Sequence, residues 1–394
     1  MATKTLYKVQ SGAYKSIINA NIAAASVRSK IAKYLKKTKS KEKISVAVIS
    51  GEGWYRVQEG AFASKENAEK RKKLLRDAGV YVVVIETKTQ DKDEPEKPVE
   101  TKVENKQHRI LIVPLAFFDT GNESKQYGDC TLILEYGDDD KTIVHAVMID
   151  CAMDRSSANI VKKCRALGVT KLDAIVISHA HGDHYGGVSS IIKAFGCDDI
   201  YVPDPTQVSK YQKAYGNALR KQYKKAKGHY INRGTSWTIG SIHFECIYMC
   251  LASALREHDT HHFVNNMSAV LRVTVNGWVY HTAGDLQNEG NNLLIKALGK
   301  EKLKADIFKC QWHGDANACN EAICKAVDPR IAFSNYHHDE SNGGRKITRK
   351  RLEAVGAIVV TNHKNGDIYF DCRPGKMVVT CSKKNFEKTF YKAA

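Results

Sequence analysis

The sequence predicts an α/β protein in two parts. A small α+β domain of β-α-β-β-α-β order covers residues 1–87, and a larger domain of short strands with intervening helices covers 108–394. Three observations carry this expectation. The phrase from Tyr7 to Tyr14, YKVQSGAY, returns in altered form from Tyr55 to Phe62 as YRVQEGAF. A charged stretch with two prolines, 88–107, stands between the parts. Further on, an apolar run from Leu172 to Ile177 ends in Ser178-His179-Ala180-His181-Gly182-Asp183-His184-Tyr185-Gly186-Gly187.

In the first part, Leu6 to Tyr14 alternates like a strand, and Ile18, Ile22, Val27, Ile31 and Leu35 mark one face of a helix within 17–37. Ile44 to Ile49 is a β-branched strand, and Gly51-Glu52-Gly53 turns the chain into the second copy of the opening phrase. Ser64 is placed to cap a helix that runs to Asp77, Gly79 ends it, and Val80 to Glu86 is the last strand. Residues 88–107 have no large apolar residue except Val, the composition of an extended, solvated linker.

In the second part, strands are expected over Arg109–Phe117, 128–135 and Val144–Asp150, then a helix over Ser157–Leu167 closed by Gly168. The apolar run at 172–177 reads as a buried strand, and Val188 to Phe195 as the helix after the His-rich loop. Residues 203–234 interleave Lys and Arg with Tyr211, Tyr215, Tyr223 and Tyr230. Such a segment can track a phosphate backbone and stack on bases; the alternative is a solvated amphipathic helix with its tyrosines inward.

The chain of 394 residues carries a formal charge of +18. That excess favours polyanionic partners, such as nucleic acid, anionic cell-wall polymer or phosphorylated substrates, and is also compatible with solubility alone. No run approaches the ~20 apolar residues of a membrane-spanning helix. The N-terminus leads straight into a strand pattern, so no secretory signal is expected and the product is read as cytoplasmic as made. Eleven cysteines without a CxxC pair predict free thiols, with Cys246 and Cys250 buried in an apolar stretch.

Chemistry concentrates in the loop from His179 to His184. Three imidazoles and a carboxylate after a buried strand suit zinc or a first-row neighbour. Two-metal sites hold their ions roughly 3.5–4 Å apart, so ligands for both must come from closely spaced positions. Asp183 can also accept a proton from an attacking water. His337 and His338 arrive late in the chain; they are candidates to protonate a leaving oxygen, the alternative being exposed loop histidines. His281 lies inside a strand pattern and is expected to be structural.

Two resemblances sharpen these expectations. The repeated phrase and its surroundings resemble a sporulation-related repeat (SPOR) domain. That likeness implies an antiparallel sheet backed by two helices and binding to peptidoglycan glycan strands, with Gln10, Tyr14, Arg56 and Gln58 as contact candidates. The order of strands and helices around the HxHxDH loop resembles the metallo-β-lactamase fold, an αββα sandwich. Asp119-Thr120-Gly121, Gly128-Asp129, Asn265-Asn266-Met267-Ser268, Gly284-Asp285, the segment Lys309 to Asp315 and His337-His338 look like the soluble hydrolase domain of bacterial competence DNA-uptake proteins.

That second resemblance implies two zinc ions, manganese being the variant. His179 and His181 would hold the first, Asp183, His184 and His313 the second, and Asp285 both. The third ligand of the first ion is less defined. His262, 23 residues before Asp285, is one candidate and Asn265 or Asn266 another. Trp312 stands where the branch usually has a second histidine. The implied activity is phosphodiester hydrolysis, most simply of DNA. The alternatives are a cell-wall metallohydrolase of amide or ester bonds, or a glycan-binding protein with an inactive hydrolase domain.

Overall fold

The computed structural model describes residues 3–14, 47–51, 54–80, 82–90, 108–117, 128–203, 227–250, 260–335 and 343–392, with isolated positions among 27–38 and at 255. It divides into two compact units, Met1–Asn105 and Lys106–Ala394. Among the described residues no helix is long and apolar enough to cross a membrane. The basic, tyrosine-containing segment at 204–226 and the pair His337-His338 lie outside the described residues.

In the first unit, β1 (Thr3–Tyr14), β2 (Ala47–Gly51), β3 (Trp54–Phe62) and β4 (Val83–Gln90) form an antiparallel sheet of order β2-β3-β1-β4. The two copies of the repeated phrase are therefore neighbours, with Gln10 opposite Gln58, Ala13 opposite Arg56 and Tyr14 opposite Tyr55. Helix α1 (Lys65–Asp77) buries Ala68 and Leu75 in a core shared with Val9, Val27, Ile31 and Leu35. Ser64 has the extended backbone of an N-cap but makes no side-chain cap bond. Strand β4 runs to Gln90, three residues past the boundary expected from composition, because Thr3, Lys4 and Thr5 continue the ladder with Gln90, Thr89 and Lys88.

The second unit is an αββα sandwich. Its nine-stranded sheet contains β5 (Ile110–Pro114), β6 (Thr131–Tyr136), β7 (Ile143–Ile149), β8 (Ala174–Val176), β9 (Asp199–Pro203), β10 (Lys227–Ile231), and, from the C-terminal end, β18 (Ile368–Arg373), β19 (Lys376–Cys381) and β20 (Glu387–Tyr391). The seven-stranded sheet contains β11 (Ser236–Ile239), β12 (Ile242–Tyr248), β13 (Val270–Val275), β14 (Trp278–Thr282), β15 (Ile307–Lys309), β16 (Ile331–Ser334) and β17 (Ile358–Thr361).

Side-chain alternation explains the apolar runs. Ile110, Ile112, Ala174 and Val176 face the core between the sheets, whereas Leu111, Val113, Ile175 and Ile177 face the outer layer. That layer contains Ile160 and Cys164 of helix α2 (Ser157–Ala166); after the short helix α3 (Gly182–Tyr185), helix α4 (Val188–Phe195) adds Val188 and Ile191. On the other side, α5 (Thr260–Asn266), α6 (Asn288–Leu298), α7 (Glu321–Val327) and α8 (Gly343–Glu353) contribute Phe263, Leu294, Ile323 and Leu352 to the covering of the second sheet. A strand buried on both faces has no polar side to display, hence the near-continuous hydrophobic sequence.

Strands β7 to β10 pair in parallel, as do β14 to β17. Parallel strands put their carboxyl ends at one edge, where open α/β sheets place their ligand sites. Asp150 follows β7, His179 follows β8, Asp285 follows β14 and His313 follows β15. All eleven cysteines are free thiols, and burial pushes Cys246 up to about 12.

His281 lies within β14, and burial, with Arg272 adding to it, pushes its pKa down to about 3. The unfolded chain therefore binds one more proton than the folded one between about pH 6.5 and that value. Stability should fall as pH drops through this window, by up to about 1.4 kcal/mol per pH unit from this residue alone. Urea unfolding at pH 6.5 and 4.5 checks this: His281→Phe should lose less stability than the parent chain, and equal losses would refute it.

Candidate metal centre

Asp150 begins the site. It has a left-handed backbone, φ 58°, and its buried carboxylate turns back toward the His-rich loop. It accepts hydrogen bonds from the Ser178 amide and hydroxyl, both at 2.8 Å, and from His184 Nδ1 at 2.8 Å. Ser178 Oγ also lies 3.1 Å from His179 Nδ1. The Ser178 hydroxyl hydrogen is directed to Asp150, so its oxygen accepts from His179 Nδ1–H, and the lone pair of His179 rests on Nε2. That nitrogen is 3.0 Å from His181 Nδ1. Burial first, then the neighbouring His184 and His181, push His179 well below its ordinary pKa, which keeps it neutral.

Four further donors converge. Asp183, His184, Asp285 and His313 each offer an atom within 4.8 Å of the others. His313 Nε2 is 3.2 Å from Asp183 Oδ2 and 3.3 Å from Asp285 Oδ2. His184 Nε2 is 3.2 Å from Asp285 Oδ2 and 3.9 Å from Asp183 Oδ2. A tetrahedral ion with bonds of about 2.0–2.1 Å separates its ligand atoms by roughly 3.3–3.4 Å, so these donors suit one. His184 Nε2 is fully buried and faces only the carboxylate oxygens of Asp285 and Asp183, an arrangement that an ion between them would satisfy. Each imidazole is also braced at its other nitrogen, His184 by Asp150 and His313 by Asp129 Oδ1 and the Asn335 carbonyl, both at 3.2 Å. Ligating histidines are oriented in just this manner.

The electrostatics point the same way. Burial alone would raise the Asp285 carboxyl, but His313, His184 and Lys309 hold it well below the usual range. Burial would likewise raise Asp183, and His184 with His313 lower it. His184 and His313 are pushed well above their ordinary pKa, burial being outweighed by Asp285 together with Asp150 for the first and Asp129 for the second. Asp129, Asp183 and Asp285 thus face one buried ammonium, Lys309, and two imidazoles whose pKa they raise, and a divalent cation would take the place of the imidazole protons in this negative field.

Lys309 had no role in the sequence reading. It is 2% exposed at the end of β15, forms an ion pair with Asp129, donates to the Gly284 carbonyl at 2.7 Å and stands 3.5 Å from Asp285 Oδ1. Burial would lower its pKa, yet Asp129 and Asp285 raise it, so the ammonium persists. With Lys309 on Oδ1, Asp285 turns Oδ2 to the histidines. The available signal was a lysine between Phe308 and Cys310 in an apolar strand, since a buried lysine needs an anionic partner.

Glycine is required at two points. At Gly128, φ 121°, a Cβ would fall 2.0 Å from the Asp183 carbonyl, and at Gly284, φ 48°, it would strike Ser178 Oγ at 2.6 Å. The structure does not bring every expected residue to the cluster. His262 is exposed, its ring standing edge-on to Trp312 at 5.7 Å, and it is not among the converging donors. The Asn266 amide oxygen accepts from the Gln287 and Gly290 amides and so braces the Asp285 loop. The Asn265 amide is fully buried with neither polar atom partnered. In the first unit, Gln10, Arg56 and Gln58 are half-buried on adjoining strands.

Comparison with known proteins agrees with this architecture. Residues 127–248 match the model of the metallo-beta-lactamase superfamily, and residues 3–86 that of the SPOR domain. The chain is 22% identical over 211 residues to ComE operon protein 3 of Bacillus subtilis, covering 52% of this chain and 25% of that protein. It is 24% identical over 217 residues to Competence protein ComA of Neisseria gonorrhoeae, covering 55% and 27%. A hydroxyacylglutathione hydrolase of Legionella pneumophila is 29% identical over 103 residues, 26% of this chain and 34% of that protein. The chain thus spans about a quarter of the length of the competence proteins it matches. Residues 127–248 thus carry the match to the metallo-beta-lactamase superfamily, and residues 3–86 the match to the SPOR domain.

Proposed function

We propose that the second unit is a two-metal phosphodiesterase, acting most simply on DNA, and that the SPOR domain binds peptidoglycan glycan strands. The observation that carries the reading is the convergence of Asp183, His184, Asp285 and His313 beside the His179–His181 pair. The net charge of +18 and the similarity to competence proteins support a polyanionic substrate. Asp183, His184, Asp285 and His313 would hold one zinc or manganese ion, and His179, His181 and Asp285 the other. Bound ions supply Lewis acidity, lowering the pKa of water and drawing charge from the substrate's oxygens.

The chain's own groups do the rest. Asp183, held as a carboxylate by His184 and His313, receives the proton of the attacking water. Asp150 and Asp129 keep His184 and His313 oriented, and Lys309 fixes Asp285. His337 or His338 would return a proton to the leaving oxygen. Amide or ester hydrolysis in the cell wall is a second reading, which draws on the SPOR domain.

A panel of single-stranded DNA, bis-p-nitrophenyl phosphate, nitrocefin and purified sacculi separates these readings. Turnover of the first two is expected; turnover of only the last two would reverse the order. For the glycan module, replacing both Arg56 and Gln58 by Ala should weaken retention of the full chain on sacculi by roughly tenfold, about 1.4 kcal/mol. Unchanged retention would remove these two residues from the contact surface.

A further inference from the structure

Helix α8 (Gly343–Glu353) packs against the turn that carries His313, and its arginines and lysines are put to different uses. Arg345 Nε donates to the His313 carbonyl at 3.3 Å, and Arg351 Nη1 to the Ala316 and Cys319 carbonyls, both at 2.9 Å. Arg349 Nη1 donates to the Val359 carbonyl at 3.0 Å. Two arginines thus clasp the loop from His313 to Cys319, a task suited to a planar fork of N–H groups, and they fix the helix beside the metal centre. Lys346 and Lys350 have no such task. Both are exposed, one turn and about 6 Å apart along the helix axis, and neither forms an ion pair with another described residue. Ile347, 45% exposed, lies three residues before Lys350 and shares its side of the helix.

This charge pattern works against the helix. Arg345 with Arg349, and Lys346 with Lys350, are pairs at i,i+4, a spacing at which like charges destabilise. The first turn holds Arg345 and Lys346 and no acidic residue, although the helix dipole favours acids there. Other helices of the chain pair exposed lysines with glutamates: Lys70 with Glu66 and Lys72 with Glu69 in α1, and Lys325 with Glu321 in α7. In α8 five of eleven residues are basic, and its one acid, Glu353, stands 3.6 Å from Arg349. Solubility alone gains nothing from lysines left without acids. A polyanion laid along them does.

We propose that the outer face of α8 is a docking track for the phosphodiester backbone of single-stranded nucleic acid, with Lys346 and Lys350 each neutralising a phosphate of a strand that is cut at the metal centre. Position carries the assignment, since Arg345 joins the track to the main chain of His313. Ile347 favours a single strand over a duplex, because an unpaired strand turns sugars and bases as well as phosphates toward its partner. The track rests on the phosphodiesterase reading for the place of the scissile phosphate, but binding can be measured without turnover.

The probe is a short fluorescent oligothymidylate titrated into the full chain at several salt concentrations, its integrity checked on a gel. Each phosphate contact on a single strand contributes about 0.7 to the slope of log affinity against log salt. Lys346→Gln combined with Lys350→Gln should therefore flatten the slope by about 1.4 and weaken binding roughly tenfold at moderate salt. Its melting temperature should match or exceed that of wild type, because a repulsive pair is removed. Lys141→Gln combined with Lys376→Gln removes the same charge at the opposite end of the sheet, before β7 and in the β18–β19 turn, which Arg373 ties to Asp140 at 2.8 Å. That control should keep a slope close to wild type. An unmoved slope in the α8 variant, or equal flattening in both variants, overturns the track. So does an unmoved slope together with lost binding to phosphatidylglycerol vesicles, which would assign the lysines to a membrane surface. A flattened slope in a protein that hydrolyses no phosphodiester would retain the track and remove the phosphodiesterase reading, and hydrolysis with an unmoved slope would do the reverse.

Discussion

Asp183→Ala is expected to reduce hydrolysis of bis-p-nitrophenyl phosphate to the uncatalysed level and to lower the metal content of the purified protein. Asp183 Oδ2 is 3.2 Å from His313 Nε2 in the convergent cluster, so the substitution removes a ligand atom and the proposed proton acceptor together. Asp150→Asn provides the calibration. Asp150 touches His184 Nδ1 and the Ser178 amide and hydroxyl but offers nothing to the cluster directly, and loss of such a supporting carboxylate costs about 10–100-fold in metal affinity or activity. The Asp183 variant must fall below that range. Plasma emission analysis of protein purified without chelators measures the metal, and release of p-nitrophenolate the rate. Wild-type protein free of metal, or an active Asp183→Ala variant, would refute the assignment.

Lys309→Met is expected to be the most destabilising single change near the site. The side chain is 3% exposed, and its ammonium is ion-paired with Asp129 and stands 3.5 Å from Asp285, both buried carboxylates. Removing one partner of a buried pair leaves charge uncompensated, at a cost of about 3–5 kcal/mol. For a domain of this size that corresponds to a melting temperature lower by roughly 10 °C in metal-free protein. An added divalent ion should narrow the gap, since it neutralises the same carboxylates. Combining Lys309→Met with Asp129→Asn should recover part of the loss, because the two changes remove both members of the pair. Thermal melts of the three variants, with and without zinc, test this; a metal-free Lys309→Met protein as stable as wild type would show that the ammonium is not needed.

Much of the site was readable because it is local. His179, His181, Asp183 and His184 fall within six residues at the end of a strand buried on both faces, and a loop so short must present them together. Asp285 and His313 were assigned by resemblance, and the structure brings both to Asp183 and His184 because β14 and β15 run parallel and end at the same edge. His262 shows where spacing misleads. The burial of Phe263, Val264, Asn265 and Asn266 leaves His262 turned outward against Trp312, and a count of residues carries no information about which way a helix faces.

By itself the sequence determined the two-part organisation, the repeated phrase that became neighbouring strands β3 and β1, and the clustering of His179, His181, Asp183 and His184 in one loop. These depend on periodicity, composition and adjacency along the chain, which act over a few residues. Tertiary structure alone decided that Lys309 is the buried counter-ion of Asp129 and Asp285, that Asn266 braces a loop, and that Gln287 and Trp312 wall one cavity. Those facts depend on which strand ends meet across two sheets. Partners such as Asp129 and Lys309 meet only when the sheets close over their shared core, and no local pattern records that closure.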